Sequence, residues 1–390
     1  MKRIFGALVL ALLLLAAGMQ AACAEQTDMQ VYIAEGALER ETAQRLLALL
    51  GRAYPQAEWV AVFQEETGES LREMVLEDRA PQLAICTPQE AAPWAKEGLL
   101  VPLDGRISDA QMIQRQVLDA CRQGDSVFMA PLAARHRQMI VNRRMLEKRR
   151  LSYMMNTIEH PVWYPTEFYQ ILEEFMLADI PALEIWPAQP QDCAALEALV
   201  QAIYGGALLS EDGKTCVANN GATLAGLSWL REMVAGGMIT YAGSREEALE
   251  HFLAGETAFF IDWTDEEERL HARELRDMDW FVMPYPTASG LPIRSFDVAG
   301  VAAFMGTDAA QRAIALQAIA FLHENAQTQL ILGDRAIWQD DAIWLPCLSA
   351  SSMGTTLRSL FCEAVNSVME QGQTPEQALR VLQAAMEAAN

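Results

Sequence analysis

A chain of 390 residues is too long to close around one small core, so two domains are the natural expectation. With 52% hydrophobic and 21% charged residues it has the balance of a globular protein, and disorder is excluded. Fifty-two acidic against 29 basic residues give a formal charge of −23, which excludes broad contact with nucleic acid or an anionic membrane, since both would repel it.

The chain opens on Lys2 and Arg3, an apolar run over residues 4–17, and the small-x-small pattern Ala22-Cys23-Ala24 before Glu25. The run is short of the roughly 20 residues a spanning helix needs, so residues 1–24 read as an export signal. Ala21-Ala22-Cys23 is also part of a lipobox, which would leave the protein lipid-anchored through Cys23. Gln20 in place of an aliphatic residue, and no Ser/Gly tether after Cys23, weigh towards simple cleavage after Ala24. Either route places the mature chain outside the cytoplasm.

Residues 31–33 then read as a first strand, and Ala43, Leu46, Leu47 and Leu50 as one face of a helix. Residues 59–63 make a second strand, 71–76 part of a helix, and 82–86 a third strand before the turn Thr87-Pro88-Gln89. This alternation predicts a mostly parallel sheet covered by helices. Two apolar stretches follow, 127–131 and 138–142. Thr166 is expected to cap a helix running from there. Leu196, Leu199, Val200 and Ile203 mark another helix; Leu227, Leu230 and Val234 mark a further one, ending at Gly236-Gly237.

Ala248, Leu249 and Phe252 share a helical face that Gly255 should end, and residues 258–261 read as a buried strand with Asp262 and Trp263 where it runs out. Residues 280–286 form a strand stopped by two prolines. Residues 298–304 form one in which Gly300 permits close backbone approach. Residues 313–322 are apolar almost all round and predict a buried helix. Leu357, Leu360, Phe361, Ala364, Val365 and Val368 share a face, and a last helix begins near Pro375 with Leu379, Leu382 and Met386 inward.

Several of these stretches, in this order, resemble the extracellular solute-binding proteins of ABC importers, in the sugar-binding group typified by maltose-binding protein. The helix, Gly255-Glu256 turn, strand and terminal Trp263 are one such segment. The strand over 81–85 followed by Gly98-Leu-Leu-Val-Pro-Leu-Asp104 is a second, and Pro161-Val-Trp-Tyr-Pro-Thr-Glu-Phe168 is a third. The stretches 127–131 with 138–142, and 280–286 with 298–304, are similar to the two crossovers between lobes in that group.

The resemblance implies an α/β, two-lobed, periplasmic-binding-protein-like (type II) fold with discontinuous lobes and a hinge. Lobe 1 would hold residues 25–134 and 298–345, and lobe 2 residues 135–297 and 346–390. It implies a monomer that takes a sugar or oligosaccharide between the lobes and presents it to permease subunits of an importer. It also implies ligand-binding positions: Trp263 as a stacking platform, Arg135 and His136 at the first crossover, Arg294 at the second, Thr87 and Gln89 in the turn, and Gly36 after the first strand. Trp263 reads equally well as a core anchor under a loop. Relatives often carry an acid where Arg135 stands, so the guanidinium opens the prospect of an acidic sugar.

Enzyme signatures are absent: there is no GxSxG elbow, HExxH, P-loop or GxGxxG fingerprint. The five histidines match no metal pattern, Glu256 with Asp262 reads as turn chemistry, and the acidic run over 265–268 suits a helix start. No catalysis, metal or cofactor is therefore expected; a transport-inactive sensor of the same fold is the alternative reading, and an exported glycan-active enzyme the last. Arg135, Arg137, Arg143, Arg144, Lys148, Arg149 and Arg150 put seven of the 29 basic residues into sixteen positions. The last five read as a solvated helix face. Of the seven cysteines, Cys193 with Cys216 and Cys347 with Cys362 are the local pairing options, against six buried free thiols once Cys23 is set aside.

Overall fold

The structure, a computed structural model, describes residues 26–107, 113–151, 163–186, 193–263, 278–306, 308–332 and 341–389. The expected export signal with Cys23 and the acidic run over 265–268 lie outside them, as do the side chains of Asp262 and Trp263.

The first half alternates as expected. β1 (Thr27–Ile33), α1 (Arg40–Ala53), β2 (Ala57–Phe63), α2 (Leu71–Leu76), β3 (Leu83–Cys86) and α3 (Pro88–Lys96) follow one another, with β1 parallel to both β2 and β3. Helix α1 turns Ala43, Leu46, Leu47 and Leu50 onto this sheet. Helices α2 and α3 start at capping boxes, Ser70 with Glu73 and Thr87 with Glu90, each serving two amides the helix cannot.

The chain then enters β4 (Ala130–Asn142), thirteen residues long, followed by α4 (Arg143–Lys148), α5 (Pro165–Met176), β5 (Leu183–Ile185), α6 (Ala194–Tyr204), α7 (Gly221–Ala235), β6 (Ile239–Tyr241), α8 (Arg245–Ala254) and β7 (Phe259–Trp263). It returns through β8 (Trp280–Met283), β9 (Ile293–Arg294) and β10 (Phe296–Ala303) to α9 (Ala309–Glu324), α10 (Ala326–Leu332) and β11 (Ile343–Trp344). Two helices close it, α11 (Gly354–Met369) and α12 (Pro375–Ala389).

Among the described residues, nine strands share one sheet in the order β2-β1-β3-β10-β4-β7-β5-β6, with β8 also on β4. Strand β4 is its spine. Its first half pairs antiparallel with β10, and its second half with β7 and β8. The end of the stretch 127–131 and the whole of 138–142 are therefore tied by one unbroken strand. Two hydrophobic cores flank the sheet. One gathers β1–β3, α1, β10, α9 and the β4 residues Ala130, Leu132, Ala133 and Ala134. The other gathers α5 to α8, β7, α11, α12 and Met139, Ile140 and Val141 of β4. Each fully buried Leu or Phe in them contributes about 1.5–3 kcal/mol.

Three expectations need correction. Tyr164, not Thr166, is the residue before α5: Pro165 occupies the first helical position, where its missing N–H costs nothing, and the Glu167 carboxylate accepts from the Tyr164 amide at 2.9 Å. Strand β7 runs two residues past Ile261, because Asp262 and Trp263 still pair with Gln138 and Arg137. Helix α9 buries only Ala315, Ala318, Ile319, Leu322 and His323. Ile314, Leu316 and Phe321 are only partly buried against the core and Ala313 and Gln317 face water, so an all-round apolar pattern did not mean all-round burial.

Candidate functional site

Side chains alternate along a strand, so Arg135 and His136 leave β4 on opposite faces. Opposite them in register stand Asp297 and Phe296 of β10. The face of His136 holds Arg294, Phe296 and Trp344. Arg294 donates from Nη1 to His136 Nε2 at 3.0 Å, and its guanidinium lies 5.3 Å from the Trp344 ring centre. Trp344 in turn meets Phe296 edge-on, with centroids 5.0 Å apart. An arginine can only donate, so His136 must present a neutral Nε2 lone pair.

His136 is held well below the usual histidine range, first by burial and then by the Arg294 charge. The unfolded chain takes up this proton near pH 6.5 and the folded chain does not, so the stability at stake is complete above about pH 6.5 and is lost as pH falls, by up to about 1.4 kcal/mol per pH unit. The urea midpoint is expected to fall between about pH 6.5 and 5, and His136→Gln to flatten that slope. His251 works the other way. Its contact with Glu184 at 2.8 Å raises it, so its smaller contribution is present at low pH and fades as pH rises through the folded value.

The face of Arg135 is polar and spans both cores. Arg135 Nη1 donates to the Gly36 carbonyl at 2.7 Å, where Gly36 takes a left-handed φ of 71° in the turn after β1. Across β10, Asp297 Oδ1 lies 3.8 Å from Arg358 Nη2 on α11, and Arg358 Nε donates to Glu197 Oε2 on α6 at 3.1 Å. Glu197 is fully buried (0% side-chain exposure). Its other oxygen accepts from Ser295 Oγ at 3.2 Å and Gln201 Nε2 at 3.0 Å. Burial disfavours the charge of Arg358, but the Glu197 and Asp297 carboxylates outweigh it and raise the guanidinium above its ordinary value.

One turn before Arg358 on α11, Thr355 Oγ1 accepts from Gln89 Nε2 of α3 at 3.0 Å, a direct tie between helices of the two cores. The structure thus brings Gly36, Arg135 and Gln89 to one side and sets His136 with Arg294 on the other. Thr87 is occupied as a cap, its hydroxyl donating to Glu90 Oε2 at 2.9 Å. Trp263 is placed by its backbone alone, opposite Arg137 at the end of β7.

The residues that sequence reading missed are Glu197, Gln201, Ser295, Asp297 and Arg358. A signal existed: Glu197 and Gln201 lie four apart in an otherwise apolar helix. On α4, Arg143 is tied to Asp279 at 3.1 Å, and beyond that helix Arg149 stacks 4.8 Å from the Phe175 ring centre. These cations serve their own lobe's surface.

A groove of about 480 Å³ opens elsewhere, between α11 and α12, lined by Leu360, Glu363, Glu370, Val381 and Leu382 among others. It lies within the helices of one core and holds none of the polar groups named above. We therefore place the candidate site between the cores. No helix among the described residues is long and apolar enough to cross a membrane.

No protein-family model matches the sequence, and no curated protein matches it. Solved structures do. The sugar-binding protein MalE from the phytopathogen Xanthomonas citri superposes with a TM-score of 0.75 at 13% identity, over 93% of this chain and 97% of that one. The cyclic α-maltosyl-1,6-maltose binding protein from Arthrobacter globiformis gives 0.75 at 14% identity, over 93% and 98%. The GacH receptor of Streptomyces glaucescens, solved unliganded and with acarbose, gives 0.70 at 14%, also over 93% and 98%. The chain thus has the two-lobed α/β fold of these sugar- and oligosaccharide-binding proteins.

Proposed function

We propose that this protein is an exported solute-binding protein that takes a neutral sugar or oligosaccharide between its lobes and presents it to the permease subunits of an ABC importer. Residues 1–24 would direct export, residues 25–134 and 298–345 would form one lobe, and residues 135–297 and 346–390 the other. A ligand that touches both lobes binds the closed arrangement better and so drives closure, with no bond made or broken.

The observation that carries this reading is the polar cluster between two apolar cores, on strands that pass from one core to the other. It offers hydroxyl-binding groups of both signs, Arg135 and Arg358 against Asp297, with the fully buried Glu197 holding Arg358 from behind. Arg358 is matched by Glu197 and Asp297, and Arg135 stands opposite Asp297 in register, so neither is a lone charge, and this weighs for a neutral ligand over the uronic acid that Arg135 alone suggested. Trp263, ending β7 beside Arg137, is the proposed platform for a sugar's apolar face.

The test is a thermal-shift and calorimetric series with maltose, longer malto-oligosaccharides, acarbose and glucuronic acid. A neutral saccharide should raise the melting temperature by mass action. Trp263→Ala should weaken its binding by about tenfold or more while leaving the unliganded melting temperature unchanged. Binding confined to glucuronic acid would overturn the neutral-ligand reading. Unaltered affinity beside a collapsed melting temperature would make Trp263 a core residue.

A further inference from the structure

The six cysteines among the described residues are all buried and unlinked. Neither local pairing suggested by the sequence is met: Cys216 Sγ lies 3.4 Å from Gln383 Oε1, and Cys347 packs in the opposite core from Cys362. Instead Cys193, the residue before α6, hydrogen-bonds through its thiol to Cys362 on α11. The contact has a second, independent register mark. Glu197 lies four residues after Cys193 and Arg358 four before Cys362, and these two are joined at 3.1 Å. Each stride is one helical turn, so the thiol pair and the ion pair stack along a single seam between α6 and α11.

We propose that Cys193 and Cys362 form a structural disulfide when the chain folds in an oxidising compartment, stapling α6 to α11 one turn behind the Glu197–Arg358 pair. The inference rests on the export proposed above only for its setting. The chemistry is thiol–disulfide exchange with a low-molecular-weight disulfide as oxidant. One protein thiol loses its proton and attacks a sulfur of that reagent, releasing one thiolate. The second protein thiol, deprotonated in turn, then displaces the other half from the mixed disulfide. Two protein thiols are oxidised, one S–S bond forms in the protein, the reagent's S–S bond breaks, and the two displaced thiolates take up the two protons. With Cys193 at 0% and Cys362 at 2% exposure, exchange has to occur before α11 closes over α6, and the finished bond is then shielded from reductant.

The bond would close a loop of about 170 residues, a long loop and so a large loss of freedom for the unfolded chain. The experiment refolds the full chain from denaturant, once in a glutathione redox buffer and once in excess dithiothreitol. Iodoacetamide then traps free thiols, and peptides are mapped without reduction. The expected result is a cross-linked pair of peptides carrying Cys193 and Cys362, two fewer alkylated thiols, and a melting temperature roughly 5–10 °C above that of the reduced protein. Cys193→Ser/Cys362→Ser should melt alike in both buffers. Full alkylation after oxidative refolding, or a cross-link between other cysteines, would overturn the proposal. The mapping uses no sugar, so a Cys193–Cys362 bond in a protein that binds no saccharide would uphold this inference and defeat the proposed function.

Discussion

Arg358→Met is expected to destabilise the protein by about 3–5 kcal/mol, because it strips the counter-charge from a carboxylate that water cannot reach. Glu197 has 0% side-chain exposure and would keep only the Ser295 hydroxyl and the Gln201 amide. Two neutral donors do not replace a guanidinium, so the carboxylate would be left buried without a counter-charge. Urea denaturation at pH 7 reads the loss. The comparison with Glu197→Leu/Arg358→Met decides the cause. If the loss comes from an uncompensated charge, the double variant, apolar on both sides, should recover most of it. A double variant as unstable as the single would mean that the packing of Arg358's stem, not its charge, holds α11 in place.

Gly300→Ala should cost about 1–3 kcal/mol. Strand β10 shifts register between Ala299 and Gly300, opposite Ala133 and Pro131 of β4. At Gly300 a Cβ would meet the buried side chain of Met129 and come within 2.9 Å of the Ala130 carbonyl oxygen. The side chain can yield; the backbone cannot without pulling β10 off β4. Met129→Ala should therefore relieve part of the Gly300→Ala defect, so that the double variant is less destabilised than the sum of the single ones. Simple additivity in urea unfolding would show that the two positions do not meet.

Much of this architecture was legible from periodicity and punctuation. The helix stripe of α1, the end of α8 at Gly255 and the need for glycine at position 300 all follow from local rules that tertiary context did not override. The continuity of β4 was hidden by Pro131, which lacks the N–H of a regular ladder and reads as a break. The register shift opposite it absorbs that defect. The polar cluster was hidden for another reason. Glu197, Asp297 and Arg358 each interrupt an apolar run, and a lone charge there reads as a solvent-facing position. Their partnership spans 161 residues, which no short-range pattern encodes. Cysteine partners are likewise set by where helices meet, not by spacing. Strand alternation, by contrast, was available all along to separate Arg135 from His136.

The thirteen-residue strand that serves both halves also constrains how they can move. A ribbon clamped by β10 along one end and by β7 and β8 along the other cannot swivel about a single bond without tearing its ladders. Any rotation of one half against the other has to be spread along it as added coil, like torque in a leaf spring, so the amplitude available is set by how far a pleated ribbon can be wound.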